Sequence, residues 1–370
     1  YHLWSETYDR DLDDVFAIQD EISAKVVEQL KVKLLGEAPH VEETDPEAYT
    51  LYLQARQVSR QRTPEAFERA IRSYREALAI DPEYATAWAG LAGTYAFQTG
   101  AHLLPFEEGY RLASEAAERA LAINEENAEA HAYLGYVALH ERGDLATAAR
   151  RYERAAELEP TNPEILRLIA RLARNLGRVD EPVRIMEYVV SRDPVNPANH
   201  AGLGSIYWRA GRLDESIASF QSALDLSPGH AGSQYAIGVV WLMKGDPEAA
   251  LEAIRREPAE WYRLTGLVMA YHALERDEDS DEALAELIDK YAQGWAYQIA
   301  YALAYRGEVD RAFEWLQRAV EINDPGLAEI PTQNLFESLY DDPRWLPFLE
   351  SIGRSPEQLA AIEFEVQLPE

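Results

Sequence analysis

Prolines 160, 194 and 228 recur at a spacing of 34 residues, and this period constrains the chain more than any other feature. In "HAGLGSIYWRAGRLDESIASFQSALDLSP", from His200 to Pro228, Leu203, Gly204 and Tyr207 share one face of a first helix. Gly211 breaks that helix, Ile217, Phe220 and Ala223 share the inner face of a second, and Pro228 closes the unit. A single helix pair cannot bury both of its apolar faces, so such units are stable only when stacked on their neighbours. Helix axes come to about 8 Å only where the contact residues are small. That requirement explains the return of Gly or Ala at Ala92, Gly135, Ala170, Gly204, Gly238 and Ala300.

The pattern extends in both directions. Upstream it runs through Ala70, Tyr74, Ala77 and Pro82, then Trp88, Leu91, Ala92, Tyr95 and Ala120, then Leu134, Gly135, Ala148, Tyr152 and Ala155, then Ile169, Ala170, Gly177 and Met186. Downstream it continues through Ile237, Gly238, Trp241, Gly245 and Ala250, then Leu267, Tyr271 and Leu287, and lastly Ile299, Ala300, Gly307, Ala312, Leu316 and Ala319. Residue by residue the unit resembles the tetratricopeptide repeat. The resemblance implies an all-α fold, a right-handed superhelical α-solenoid of helix hairpins, with about eight units over residues 47–323. Two units depart from the period. "TGAHLLPFEEG" lengthens one turn, leaving Leu103, Leu104 and Phe106 to fold back or to meet a partner, and Pro258 cuts short the second helix of another. Residues 324–370, rich in aromatics and proline but without the repeat, read as capping helices and a tail over the last hairpin.

Before the repeats, Tyr1 to Tyr8 alternate as a half-buried strand does, and Ile18, Ile22, Val26 or Val27 and Leu30 share one helix face. The stretches "HLWSETYDR" and "DVFAIQDEI" resemble the end of the TolB-like (FlgO-type) domain of large bacterial signalling proteins. Residues 1–36 are then the C-terminal fragment of such a domain, its helix placed to dock on the first repeat. The resemblance implies an effector further upstream: a class III adenylate or guanylate cyclase, a Ser/Thr kinase or a winged-helix regulator. The first residue is not methionine, which fits a piece of a longer chain.

A formal charge of −30 gives the molecule a field that repels phosphate backbones and anionic lipid, so neither nucleic acid nor a membrane is an expected partner. No apolar run reaches the ~18 residues of a spanning helix, and no signal peptide opens the chain. The cytoplasm is the expected compartment, or the periplasm if the parent carries an upstream span. With no cysteine, thiolate chemistry and disulfides are excluded. HExxH, GxSxG and the phosphate loop are absent, and the glycines of "GLGSIY" serve helix packing rather than a nucleotide. Asp277, Asp279 and Asp281 have the spacing that opens a calcium loop, but Glu282 and Ile288 stand where glycine and glutamate are required. No catalytic residue, cofactor or metal is expected, and any enzymatic activity would belong to an upstream domain.

Repeats of this kind resemble one another in holding a peptide or partner helix on the inner face, lined by the first helix of each pair. On this chain that face comprises Tyr136 and His140, then Arg167, Arg171 and Arg174, then Ser205, Trp208 and Arg209, and beyond them Tyr235, Met269, His272, Tyr297, Tyr301 and Tyr305. Arg167, Arg171 and Arg174 recur at helical spacing and form a basic stripe on an acidic protein. One reading is that the stripe pairs with carboxylates of an acidic segment, with tyrosines gripping apolar residues beside them. The other is that these arginines neutralise Glu and Asp on adjacent helices. The expected function is therefore a non-catalytic, protein-binding scaffold in bacterial signalling, with self-assembly into a homodimer as the structural alternative.

Overall fold

The computed structural model describes residues 42–61, 63–101, 103–141, 143–366 and 368. The strand and helix expected over residues 1–36 lie outside the described residues. Six helices start the same way, with proline in the first turn and Asp45, Thr63, Asn162, Asn196, Asp246 or Ser355 before it, the side chain accepting a backbone N–H. Proline has no N–H to lose there, and the capping oxygen satisfies one of the donors that a helix start leaves free. The turns inside the hairpins are equally periodic. Gly143, Gly177, Gly211 and Gly245, each 34 residues from the next, have φ of +63°, +78°, +74° and +78°, a region that favours glycine.

The chain forms two compact units, residues 1–133 and 134–370. In the first, α1 (Pro46–Ser59) pairs with α2 (Pro64–Ile80) and α3 (Ala85–Gly100) with α4 (Phe106–Ile123), followed by the start of α5 (Ala128–Glu141). Tyr52, Tyr74 and Tyr84 pack ring against ring, and a Cβ on Gly90 would stand 2.6 Å from the Tyr74 ring. Glu42 accepts the backbone N–H groups of Ala85 and Thr86 at 2.9 and 3.0 Å, sealing the start of α3. In the lengthened turn Leu103 is exposed, while Phe106 folds onto Tyr110 with ring centroids 4.7 Å apart.

The second unit continues through α6 (Leu145–Leu158), α7 (Pro163–Asn175), α8 (Asp180–Arg192), α9 (Pro197–Arg209), α10 (Leu213–Leu226), α11 (Ser233–Met243), α12 (Pro247–Arg255), α13 (Glu260–Ala273), α14 (Asp277–Tyr291), α15 (Ala296–Tyr305) and α16 (Val309–Glu321). These helices form consecutive hairpins, no strand occurs among the described residues, and the fold is all-α. Helix α12 stops at Arg255, ahead of Pro258. The small-residue contacts are where the packing argument requires them. A Cβ on Gly135 would lie 2.9 Å from Tyr152, on Gly204 2.9 Å from Phe220, and on Gly238 2.4 Å from Ile254. A second device is shared by two hairpins: Ser216 donates to the Gly204 carbonyl and Ser280 to that of Val268, each at 2.8 Å and each fully buried.

After α16 the chain forms two 3₁₀ segments, Pro325–Thr332 and Asn334–Leu339, then α17 (Trp345–Ser351) and α18 (Pro356–Ala360). Phe336 and Leu339 are fully buried, with Phe336 against Tyr297 and Tyr301 of α15. The segment reaches well beyond the last hairpin. Glu329 contacts α7 and α9, Arg354 donates to the Gly143 carbonyl at 3.0 Å, and Arg178 donates to the Phe364 carbonyl at 2.6 Å.

Candidate partner-binding face

In the second unit, expected residues from the first helices of the hairpins meet in three clusters. In the first, Tyr136 and His140 sit one turn apart on α5, so their rings stack with centroids 4.2 Å apart. Arg171, from α7, lies over the Tyr136 ring at 5.8 Å and 3.4 Å from His140 Nε2. Burial, and then the Arg171 charge, hold the His140 imidazole down at about 3, so it is neutral at physiological pH. No carboxylate lies within ion-pair distance of Arg171 among the described residues.

The second cluster is built on one carboxylate. Arg174, at the end of α7, donates to Glu329 Oε1 at 2.8 Å and to Ser205 at 3.3 Å. Arg209, at the end of α9, reaches Glu329 Oε2 at 3.4 Å and the Thr332 carbonyl at 2.8 Å, with its guanidinium 4.5 Å above the Trp208 ring. The two arginine side chains are 8% and 6% exposed, whereas Glu329 keeps 35% of its surface. Burial alone would raise the Glu329 pKa. The guanidinia of Arg174, Arg209 and Arg171 outweigh it and hold the carboxyl at about 2.

The third cluster is aromatic. Tyr235 on α11 and Tyr301 on α15 share a hydrogen bond of 2.8 Å, and Tyr297 packs edge-on against Tyr301 at 5.3 Å. Gln333 donates to the Tyr297 hydroxyl at 3.2 Å, and Asp324 accepts the Tyr297 backbone N–H at 3.0 Å. These two contacts fasten the 3₁₀ segment at both its ends. Burial raises the Asp324 carboxyl to about 6 despite the backbone donors it accepts.

The expected residues are thus not equivalent. Tyr136, His140 and Arg171 meet, Arg174, Trp208 and Arg209 meet, and Tyr235, Tyr297 and Tyr301 meet. Arg167 stands apart, paired with Glu164 three residues back on its own helix. His272 and Tyr305 face each other with ring centroids 6.3 Å apart, His272 lies 3.8 Å from Asp277, and Met269 is core. Sequence reasoning missed Glu329, Thr332 and Gln333. The available signal was Glu329 itself, the sole charged residue between Asp324 and Glu337. No group of three or more potential metal ligands occurs among the described residues.

An array of helix hairpins with a polar inner face defines a helical-repeat protein. The tetratricopeptide repeat family matches residues 107–163, 141–197, 167–231 and 201–261, so the chain carries tetratricopeptide repeats. Over 95 residues it is 43% identical to putative adenylate cyclase 3 of Rhizobium meliloti (strain 1021). That stretch covers 25% of this chain and spans 16% of that relative's length. Among solved structures, human IFIT1, as a dimer with m7Gppp-AAAA, is similar with a TM-score of 0.53 at 15% identity, over 83% of this chain and 77% of that chain. A thermophilic TPR protein of Thermus thermophilus gives 0.42 at 18% identity, over 53% of this chain and 99% of the other. At these identities the structural likeness concerns the fold alone.

Proposed function

We propose that the chain is a non-catalytic interaction scaffold, the regulatory or sensor part of a bacterial signalling protein, whose second unit binds a carboxylate-bearing protein segment on its inner face. One observation carries this reading: Arg174 and Arg209, both buried, converge from two successive repeats on a single carboxylate in a non-repeat segment. The geometry suits a charged side chain presented by extended or 3₁₀ backbone, because a main-chain carbonyl, that of Thr332, is gripped beside it. The aromatic cluster of Tyr235, Tyr297 and Tyr301 supplies apolar area next to that seat. Arg167 is not part of this reading, since it is neutralised within its own helix. The test is fluorescence anisotropy of a labelled glutamate-containing decapeptide against Glu329→Gln, in which no resident carboxylate competes for the two arginines, and the Glu329→Gln/Arg174→Gln/Arg209→Gln triple variant. Binding should weaken by roughly a hundredfold in the triple variant, since hydrogen bonds to charged groups contribute about 1.5–3 kcal/mol each. Equal binding by both proteins removes the inner face from the account.

A second reading is favoured by the identity with the putative adenylate cyclase: the chain is the regulatory portion of a class III nucleotide cyclase, working in the cytoplasm where the nucleotide is. On this reading the chain by itself turns over no ATP. Cyclic nucleotide formation by the purified chain would contradict it.

A further inference from the structure

The seat for a carboxylate already has an occupant from the same chain. Residues 324–333 lie along it as a strap held at its two ends, by Asp324 on the Tyr297 N–H and by Gln333 on the Tyr297 hydroxyl. Between those anchors the backbone is a 3₁₀ segment, Pro331 has no N–H to offer, and Glu329 provides the only side-chain charge. The strap begins beyond Asn323, which at φ +50° closes α16 in the left-handed conformation that asparagine adopts at helix C-termini. The charge on the seat is also unbalanced. Arg171, Arg174 and Arg209 all act on Glu329, yet only Arg174 and Arg209 are within ion-pair distance of it, and His140 beside Arg171 is neutral.

We propose that residues 325–332 are a resident occupant that partner binding displaces, and that the partner is a protein segment carrying two carboxylates, one for Arg174 and Arg209 and one for Arg171. This rests on the reading that the inner face binds a protein segment. The partner gains what the strap leaves unused, an ion pair to Arg171. Against it stands the effective concentration of a tethered occupant, of millimolar order for short links, together with reburial of Ile330, which is fully buried in the closed state. A segment with a single carboxylate therefore competes poorly, and the strap sets a threshold that selects doubly acidic partners. Unfolding of the rest of the cap is not required, because Phe336 and Leu339 lie beyond the second anchor.

The probes are a labelled decapeptide with the sequence of residues 324–333 and an analogue, the tightest-binding of three in which Gly326, Leu327 or Ala328 is replaced by Glu. Anisotropy is measured with the full chain as wild type, Glu329→Gln and Arg171→Gln. The resident peptide should bind Glu329→Gln at least roughly tenfold more tightly than wild type, since the variant weakens the competing strap. The analogue should bind wild type roughly tenfold more tightly than the resident peptide does, and Arg171→Gln should abolish that difference. Equal binding of the peptide by wild type and Glu329→Gln overturns the displacement while leaving the inner-face reading intact. Binding by neither overturns both. Hydrogen exchange on the wild type guards against misfolding of the variant. Amides of residues 326–332 should lose protection as the analogue is added while those of α16 keep theirs, and unchanged protection at saturating analogue contradicts the proposal.

Discussion

Ile254 is fully buried and held between two glycines of successive hairpins, Gly238 on α11 and Gly266 on α13. A Cβ on Gly238 would stand 2.4 Å from Ile254 Cγ1, 2.8 Å from Cδ1 and 3.0 Å from the Ala250 carbonyl oxygen. Replacing Gly238 by Ala in the middle of α11 gains about 1 kcal/mol of helix propensity. It also forces Ile254 or the facing backbone to move, and overpacking of this kind costs about 1–3 kcal/mol. Because one of the three contacts is main chain, the cost falls at the upper end, and Gly238→Ala should destabilise by about 1–2 kcal/mol net. A Cβ on Gly266 meets only the side chain, at 2.8 Å, so Gly266→Ala should cost less. Ile254→Ala alone should cost about 2–5 kcal/mol through its cavity. The double variant Gly238→Ala/Ile254→Ala should be no less stable than Ile254→Ala, a favourable coupling of at least about 1 kcal/mol. Urea midpoints followed by far-UV circular dichroism give each corner of the cycle. If Gly238→Ala matches or exceeds the wild type, or the two changes are additive, the close approach of helices through glycine is not what holds these hairpins together.

Three further outcomes follow from named residues. His140 is neutral in the fold down to about 3 but protonates below its ordinary 6.5 when unfolded, so the unfolded chain takes up the proton and stability falls with pH. Asp324 acts oppositely between about 6 and its ordinary 3.8, because there the folded state holds the extra proton. His140→Gln should therefore gain about 2 kcal/mol relative to wild type between pH 7 and pH 5, seen as a difference in urea midpoints. A constant difference would contradict the burial of the imidazole. Glu275, at φ +57°, occupies the left-handed turn position that glycine fills elsewhere. Glu275→Gly should raise the midpoint by up to about 1 kcal/mol and Gly177→Ala lower it by about 1 kcal/mol, the latter with no atom near enough to clash. In the Glu329→Gln background, Arg167→Gln should leave peptide binding unchanged, while Arg174→Gln weakens it roughly tenfold or more; equal effects would mean that the stripe acts as one unit.

The repeat was legible because its signals are local. Gly204 and Phe220 sit 16 residues apart within one unit, and capping residues such as Asn162 and Asn196 stand directly before prolines. That Arg171 and Arg174 lie on one side of α7 was legible for the same reason, since helical spacing alone places them there. Their division into clusters was not. Arg167 shares their face, but Glu164 lies one turn back and neutralises it, a preference that periodicity does not rank. Glu329 lies 155 residues from Arg174 in sequence, in a segment without a repeat pattern, so no spacing rule connects them. The proposed role of that segment as an occupant depends on tertiary contact. Chain-end features over residues 1–36 fall outside the described residues.

The direct measurement is a carbon-13 NMR titration of the glutamate side-chain carboxyls in the wild type, with the Glu329→Gln variant assigning the signal that disappears. If Glu329 is clasped by Arg174 and Arg209, that signal holds its ionised shift from pH 7 to pH 3, with a midpoint approaching 2. A midpoint near the ordinary glutamate value of 4.5 would mean that the carboxylate faces water, and the inner face would have no seat of this kind.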